Sequence, residues 1–309
     1  CCRLGSASRS RRTRLETAAT FGGTEVTASQ PQHSIAWIKG KWGRPAELEL
    51  PLSDRGLLLA DGLFETVLID HNHPCLLDAH LRRWDESADL LGMAPPPKRS
   101  WLDPLIQEAI ERLGLEQMYG ALRLNWSRGD GSKRGIGLDH NPADPSRHRF
   151  WMTLQTHTPT FETVRTWISR HEYRHAYSLM SRCKTFAYGQ AIQVRREAQQ
   201  RGAEDGLMLS TNGSLCCGSS ANLVVQRHGQ WLTPPIRDGC LPGVMRGQAL
   251  KQGLINEQSL SAEPQTGDQW LLINSLGCRT ISHVNEEPLT IRESGGAFWR
   301  SLLLSDSEQ

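Results

Sequence analysis

Strand-like and helix-like segments are mixed along this chain without a regular strand–helix–strand period, and this order constrains the fold more than any other feature. Alternating or continuous apolar runs predict strands, whereas apolar residues three and four apart predict amphipathic helices. The predicted strands are 35–38, 48–52, 63–69, 120–126, 149–155, 164–169, 205–210, 223–226, 231–233 and 270–274. The predicted helices are 79–91, 102–113, 190–202, 244–253 and 296–304. The pattern favours an α+β protein, and 309 residues are sufficient for two domains.

Composition divides the chain into three parts. Residues 1–32 are rich in arginine and serine, and their only acids are Glu16 and Glu25. A transit peptide has this composition, as does a disordered leader or an extension upstream of the true start. We interpret 1–32 as a disordered leader. Residues 156–160 are the best candidate for a linker, so we expect an N-terminal α/β domain at 33–158 and a C-terminal domain at 159–309.

Charge and cysteine usage limit the classes of function. A net charge of +2 with mixed signs gives no case for a nucleic-acid partner. The eight cysteines have neither metal-ligand nor disulfide-framework spacing, so we predict no metal site and a reducing, cytoplasmic compartment. No apolar run approaches the ~20 residues that cross a bilayer, so we expect a soluble protein that does not bind membranes.

A lysine and two later turns indicate the chemistry. Lys184 precedes a helix-like run, and the Ser/Asn loop 218–222 and the turn 241–243 before another helix follow it in order. An amine can form a Schiff base with an aldehyde, while hydroxyl groups and helix N–H groups can bind an anion. Together these features suit an aldehyde cofactor that carries a phosphate.

Six motifs in this order resemble the class IV pyridoxal-phosphate (PLP) aminotransferase family. They are Asp54-Arg55-Gly56, Asp61-Gly62-Leu63-Phe64-Glu65-Thr66, His80-Leu81-Arg82-Arg83, Lys184, Gly218-Ser219-Ser220-Ala221-Asn222 and Leu241-Pro242-Gly243. The resemblance runs from about Trp37 to about Val284. It implies a fold-type IV enzyme with an N-terminal α/β sandwich and a C-terminal pseudo-barrel. The cofactor, pyridoxal 5'-phosphate, would lie between these two domains. It also implies a homodimer. The family contains branched-chain aminotransferases, D-amino-acid aminotransferases and 4-amino-4-deoxychorismate lyases.

The resemblance implies a role for each matching residue. Lys184 would bind the cofactor and act as general base and acid, and Tyr188 would face its phenolic oxygen. Arg83 would bind the phosphate, together with the backbone N–H groups of Val244 and Met245. Further cofactor contacts are implied for Ser219, Ser220 and Asn222.

Cys217 departs from the family pattern. It stands where relatives place a glutamate that pairs with the protonated pyridine nitrogen of the cofactor. A carboxylate there makes the ring a strong electron acceptor, and a thiol does this poorly. The departure leaves three possibilities: a reaction that needs less electron withdrawal, a substituting neighbour, or impaired activity.

The substrate-facing residues resemble those of the lyases. Arg128 and Arg134 lie on a glycine-rich stretch suited to a substrate with two carboxylates, although a hairpin tip with solvated charges is the alternative. Thr66 and Asn274 are expected near the same pocket, and lyases often have methionine at the position of Met245. We therefore expect a 4-amino-4-deoxychorismate lyase of folate biosynthesis. The alternatives are a branched-chain or D-amino-acid aminotransferase and a catalytically impaired PLP-binding relative.

Overall fold

The computed structural model describes residues 33–131, 135–138, 141, 143–292 and 295–303. The predicted leader at 1–32 lies outside them, and the residues from His33 onward form one compact unit. Within the described residues the chain forms two β-sheets flanked by helices, which confirms the predicted α+β class. In the same residues, every helix is too short or too polar to cross a bilayer.

The first sheet has six antiparallel strands in the described part of the chain, in the order β2-β1-β6-β5-β3-β4. Its strands are β1 (Ser34–Ile38), β2 (Lys41–Gly43), β3 (Gly62–Asp70), β4 (His73–Pro74), β5 (Tyr119–Ser127) and β6 (Arg149–Thr156). Alternate residues of each strand face a core that is covered by α2 (Leu77–Leu90) and α3 (Arg99–Leu113). Trp84 on α2 and Ile110 on α3 lie at the centre of this core and are nearly fully buried.

The second sheet closes on itself. Its strands are β7 (Thr163–Arg174), β8 (Asp205–Ser210), β9 (Leu215–Gly218), β10 (Asn222–Arg227), β11 (Gln230–Thr233), β12 (Asn256–Glu257), β13 (Gln269–Asn274), β14 (Gly277–Val284) and β15 (Glu287–Pro288). The order is β12-β11-β10-β13-β14-β7-β8-β9, and β9 pairs again with β10 through Cys217 and Asn222. Six of these strands therefore form a ring, which is the predicted pseudo-barrel.

The remaining helices connect or cover these strands. They are α1 (Arg55–Leu59), α4 (Leu179–Arg182), α5 (Gly189–Gln200), α6 (Val244–Lys251) and α7 (Gly295–Leu303). Helix α5 is the crossover between the parallel strands β7 and β8. Helices α6 and α7 pack on the outside of β13 and β14, where Trp299 is nearly fully buried.

The segment that carries Lys184 is held against the first sheet. The backbone N–H of Phe64 donates to the carbonyl of Lys184 at 2.9 Å, and that of Phe186 donates to the carbonyl of Gly62 at 3.0 Å. A Cβ atom on Gly62 would lie 2.2 Å from the ring of Phe186, so only glycine leaves room for this ring. Lys184 is thus fixed at the start of β3, although it lies far away in sequence.

One local prediction was wrong. Residues 48–52 do not form a strand, because Pro51 has no N–H for a ladder and Leu52 is 82% exposed, so no apolar face is buried. Just after them, 55–59 form α1, whose first turn is capped by the side chain of Asp54. The boundary between 158 and 159 stays a prediction, although the first sheet ends at Thr156 and the second begins at Thr163.

Candidate active site

A cavity of about 330 Å³ is lined by residues of both sheets. It brings together eleven of the residues that the sequence singled out, from β3, α2, the Lys184 segment, the β9–β10 turn, the start of α6 and the end of β13. They are Thr66, Arg83, Lys184, Tyr188, Cys217, Ser219, Ser220, Asn222, Val244, Met245 and Asn274. The cavity is therefore the candidate active site.

Arg128 is not among the residues that line this cavity. Its guanidinium donates to the carboxylate of Asp61 and to the carbonyl oxygens of Leu91 and Gly92 at 2.9 and 2.8 Å. These contacts tie the end of β5 to the end of α2, and the substrate contact of Arg128 stays a prediction. Arg134 lies outside the described residues, and its substrate contact stays a prediction.

Lys184 is half-buried in the cavity, and its partners are suited to an amine that must also react. Its Nζ atom lies 3.0 Å from the hydroxyl oxygen of Tyr188 and 4.3 Å from the ring centroid of Phe64. No carboxylate is paired with Lys184 among the described residues. The amine is therefore held by a hydroxyl group and an aromatic face, which leave it accessible to a ligand.

Arg83 is held by a buried network behind the cavity. Glu65 accepts hydrogen bonds from Nε of Arg83 at 2.8 Å, from its Nη2, and from Nδ1 of His80 at 2.7 Å. Burial alone would raise the pKa of Glu65, but the charge of Arg83 and these hydrogen bonds lower it to about 2. Burial lowers the pKa of His80, so its Nε2 is free to accept from the hydroxyl group of Ser275 at 3.2 Å. The network fixes the direction of the Arg83 guanidinium.

The first turn of α6 opens onto the cavity. Gly243 precedes this helix, and no side chain caps the N–H groups of its first turn. A Cβ atom on Gly243 would lie 1.8 Å from Oδ1 of Asn222, so glycine is needed for the close approach of the two segments. Arg83 reaches the same corner, where its Nη1 donates to the carbonyl of Pro242 at 3.1 Å. A guanidinium and a helix N-terminus thus meet at one end of the cavity.

The β9–β10 turn forms another wall. Asn222 donates from Nδ2 to the carbonyl of Leu241 at 2.9 Å, and Asn274 donates to the carbonyl of Ser220 at 3.3 Å. The hydroxyl group of Ser219 donates to the buried carboxylate of Asp205. The side chains of Ser219, Asn222 and Asn274 therefore shape the wall as well as facing the cavity.

Arg123 is a cavity residue that the sequence reasoning missed. It lies directly opposite Thr66 in the β3–β5 pair, on the same face of the sheet. Its guanidinium carbon is 3.5 Å from the ring centroid of Phe64, and its Nε donates to Asn125 at 2.7 Å. Burial lowers the pKa of Arg123, although a guanidinium remains charged. The alternation of 120–126 was the available signal, because it turns Arg123 away from the apolar core.

Arg174 was also missed, and no pattern in the sequence pointed to it. It is the last residue of β7, and its guanidinium donates to the carbonyls of Gly239 at 3.2 Å and Ser181 at 2.9 Å. It lies close enough to Cys217 to affect the thiol: the pKa of Cys217 is lowered by a hydrogen bond with Cys216 and by the charge of Arg174, against the effect of burial.

The charges around the cavity are all of one sign. Its lining includes four basic side chains, Arg83, Arg123, Arg174 and Lys184, and none of its described lining residues is Asp or Glu. Of these four, Arg83 has a carboxylate partner in Glu65. The cavity is therefore built for a ligand with several negative charges.

These residues fit the cofactor that the resemblance implies. The uncapped N–H groups of α6 and Arg83 can hold its phosphate, Lys184 can bind its aldehyde carbon, and Tyr188 can face its phenolic oxygen. The pyridine nitrogen is the exception, since Cys217 replaces the carboxylate expected there.

Comparison with known proteins agrees with the geometry. The family model for amino-transferase class IV matches residues 62–284. A bifunctional aminodeoxychorismate lyase / D-amino acid transaminase of Mycobacterium tuberculosis is 27% identical over 234 residues, which are 65% of this chain and 71% of that protein. Among solved structures, a fold IV transaminase from Curtobacterium pusillum superposes with a TM-score of 0.73 at 20% identity, over 90% of this chain and all of the other.

A hypothetical aminotransferase from Mycobacterium tuberculosis, solved in a PLP-bound form, superposes with a TM-score of 0.72 at 21% identity. The superposition covers 88% of this chain and 99% of the other chain. These similarities confirm the predicted fold type and its cofactor, pyridoxal 5'-phosphate. With the family model matching more than two thirds of its length, the chain belongs to the amino-transferase class IV family of PLP-dependent enzymes.

Proposed function

We propose that this enzyme converts 4-amino-4-deoxychorismate to 4-aminobenzoate and pyruvate in folate biosynthesis. The observation that carries the proposal is the cationic cavity, in which Arg123 has no carboxylate partner among the described residues. A substrate with two carboxylates would supply the missing negative charge. The Mycobacterium tuberculosis relative, whose name includes this lyase activity, supports the same choice.

At the phosphate end, the chain provides a charged group and a helix terminus. Arg83 keeps one fixed orientation because Glu65 occupies its Nε and Nη2 atoms, while the N–H groups of the first turn of α6 point towards the same anion. Met245 is nearly fully buried beside them and excludes water. These residues would anchor the cofactor so that its aldehyde carbon faces Lys184.

Bound PLP withdraws electrons from the substrate bonds next to the amino group. Lys184 would accept the proton that leaves the ring carbon bearing the amino group, the bond from the ring to the enolpyruvyl oxygen would break as the ring becomes aromatic, and Lys184 would return the proton to the departing enolpyruvyl group, which is released as pyruvate. The hydroxyl group of Tyr188, 3.0 Å from Nζ, keeps the amine on the correct side of the cavity. Phe64 covers Lys184 and Arg123 with its ring and limits the access of water to the reacting carbon.

At the substrate end, Arg123 would bind one carboxylate. The ring of Phe64 supports its guanidinium, and Thr66 lies directly opposite on β3 with its hydroxyl group on the same face. Arg134 remains our candidate for the second carboxylate. Because the product ring becomes aromatic, the elimination has a large driving force of its own and depends less on electron withdrawal by the cofactor.

Transamination is the second candidate, because the name of the Mycobacterium tuberculosis relative also includes a D-amino acid transaminase activity. Cys217 counts against it, since transamination depends more strongly on a protonated pyridine ring. A catalytically impaired PLP-binding protein is the third reading, and it predicts bound cofactor without turnover.

The location and assembly of the enzyme belong to the same proposal. We propose a cytoplasmic homodimer. Free thiols at all six cysteines of the described residues support a reducing compartment. Two exposed apolar side chains support burial against a second copy: Leu58 on α1 is 64% exposed, and Tyr177 between β7 and α4 is 87% exposed.

The test is to incubate the purified enzyme with 4-amino-4-deoxychorismate and to measure 4-aminobenzoate and pyruvate. D-Alanine and branched-chain amino acids are tested in parallel with 2-oxoglutarate. The substitution Arg123→Met should raise KM for the lyase substrate roughly 10- to 150-fold, because a charge-assisted contact contributes about 1.5–3 kcal/mol.

Arg112→Met is the matched control, since Arg112 lies on the exposed face of α3, where it covers Trp42, and is not part of the cavity lining. It should leave KM unchanged. Turnover of amino donors without formation of 4-aminobenzoate would favour the transaminase, and an unchanged KM in Arg123→Met would remove the assigned role of Arg123.

A further inference from the structure

The wall formed by Cys217 and Arg174 lacks the group that usually protonates the cofactor ring. Both residues line the cavity. Among the described residues, no lining side chain is a carboxylate, and the hydrogen-bond partners of the Arg174 guanidinium are carbonyl oxygens. Arg174 is fixed by carbonyl oxygens of Gly239 and Ser181, which orient the guanidinium but leave its charge uncompensated. A cation in this position disfavours a second positive charge nearby.

Asp205 is the neighbouring carboxylate that could substitute, and its contacts exclude it. It is fully buried on β8 and is not part of the cavity lining. Its Oδ2 atom binds Arg279 and Arg195, while its Oδ1 atom accepts from Ser219 and from the N–H of Gly206. Two arginines therefore compensate its charge, and no lone pair is directed at the cavity.

The other titratable groups around this wall do not give it a negative charge. Cys216, next to Cys217 on β9, has its pKa raised by the hydrogen bond with Cys217 and by burial, so it stays a neutral thiol. Burial also raises the pKa of Cys240, which precedes α6, to about 12. Lys184 and Arg123 add positive charge to the same cavity.

We propose that Arg174 and Cys217 keep the pyridine nitrogen of bound PLP unprotonated at neutral pH. The nitrogen meets a cation and a cysteine sulfur where relatives provide a carboxylate, so the ring accepts electrons less strongly than in a transaminase. Arg174 is thus a residue that determines the reaction type by its charge. The consequence for catalysis rests on the proposed function: an elimination driven by aromatisation tolerates this ring, whereas transamination becomes slow.

The experiment uses the full chain reconstituted with PLP that carries ¹⁵N in the ring. The ¹⁵N chemical shift distinguishes pyridine from pyridinium directly and does not depend on turnover. We expect the shift of an unprotonated pyridine in the wild-type enzyme at pH 7. The shift of a pyridinium at pH 7, with or without a Cys217 thiolate beside it, would overturn the proposal.

Two variants of Arg174 locate the cause. Arg174→Met should raise the pH at which the nitrogen takes up its proton by about one unit or more, because a nearby like charge is removed. Arg174→Lys keeps the charge and should leave this pH nearly unchanged. If the ring nitrogen takes up its proton at the same pH in Arg174→Met and in the wild type, Arg174 has no such role.

A third variant, Cys217→Glu, should give the ¹⁵N chemical shift of a pyridinium. The control is Cys278→Ser, because Cys278 is buried outside the cavity lining, and it should keep the shift of an unprotonated pyridine. An unprotonated nitrogen in folded, PLP-loaded Cys217→Glu would count against the assignment of Cys217 to this position. If overpacking prevents that variant from folding, the wild-type spectrum and the Arg174 pair still decide.

This outcome is separate from that of the proposed function. An unprotonated ring in an enzyme that makes no 4-aminobenzoate would refute the lyase assignment alone. A pyridinium in an enzyme that does make 4-aminobenzoate would refute the inference alone.

Discussion

Replacing Glu65 by glutamine removes the carboxylate that compensates the charge of Arg83 behind the cavity. Glu65 is 1% exposed, and the fall in its pKa from 4.5 to about 2 corresponds to about 3 kcal/mol of stabilisation of its ionised form. Glutamine also presents an amide N–H₂ group to donors on Arg83 or His80. Removing one partner of a buried ion pair typically costs about 3–5 kcal/mol, so we expect Glu65→Gln to lose about 3 kcal/mol or more.

Urea denaturation at pH 7 measures this loss, with equal cofactor loading of all proteins. Glu108→Gln is the matched control, since Glu108 forms an exposed i,i+4 pair with Arg112 on α3 and should lose no more than about 0.5 kcal/mol. Equal losses in Glu65→Gln and Glu108→Gln would refute the reasoning.

The same change should alter the dependence of stability on pH. Because the pKa of Glu65 is lower in the folded chain than its ordinary value of 4.5, its stabilisation is complete above pH 4.5. It is lost as the pH falls from there towards 2. The difference in unfolding free energy between wild type and Glu65→Gln should therefore shrink between pH 5 and pH 2, and a constant difference would contradict the assigned pKa.

Three further outcomes are expected. Gly62→Ala should displace Phe186 and with it Lys184, which should lower the free energy of unfolding by about 1–3 kcal/mol and weaken the retention of PLP. Gly189→Ala is the control, because a Cβ atom there meets nothing within 4 Å, and it should change neither property. Denaturation measures the first effect and dialysis the second. Borohydride reduction followed by peptide mapping should fix the pyridoxyl group on Lys184, and its recovery on another lysine would remove the assigned role. Sedimentation should give a dimer, and an active monomer at high dilution would contradict the proposed assembly.

The sequence predicted the parts of the site that depend on chain order. Lys184, the turn from Gly218 to Asn222 and the helix after Gly243 each carry a local signal, because their backbone geometry is determined within a few residues. The structure brings all three to one cavity. Mostly apolar runs such as 63–69 also predicted buried strands correctly, since both faces of β3 are covered.

Contacts between distant segments could not be predicted in this way. Arg128 sits in a motif that resembles a substrate-binding stretch, yet Asp61 and two carbonyls at the end of α2 bind its guanidinium. Arg174 becomes a cavity residue only because β7 extends well beyond the predicted strand 164–169. The direction of a side chain at the end of a strand depends on partners outside that strand, and for Arg174 these are the carbonyls of Ser181 in α4 and of Gly239, which is 65 residues away in sequence.

The attachment of the Lys184 segment to β3 has a consequence for biosynthesis. The cavity takes residues from Phe64 to Leu276, and its strand ring is complete only when β14, which ends at Val284, pairs with β7. The chain must therefore be synthesised at least as far as Val284 before the strand ring around this cavity can close. We therefore expect cofactor loading to follow the folding of β14, so that the colour of bound PLP reports chains with a closed strand ring and products truncated before β14 stay colourless.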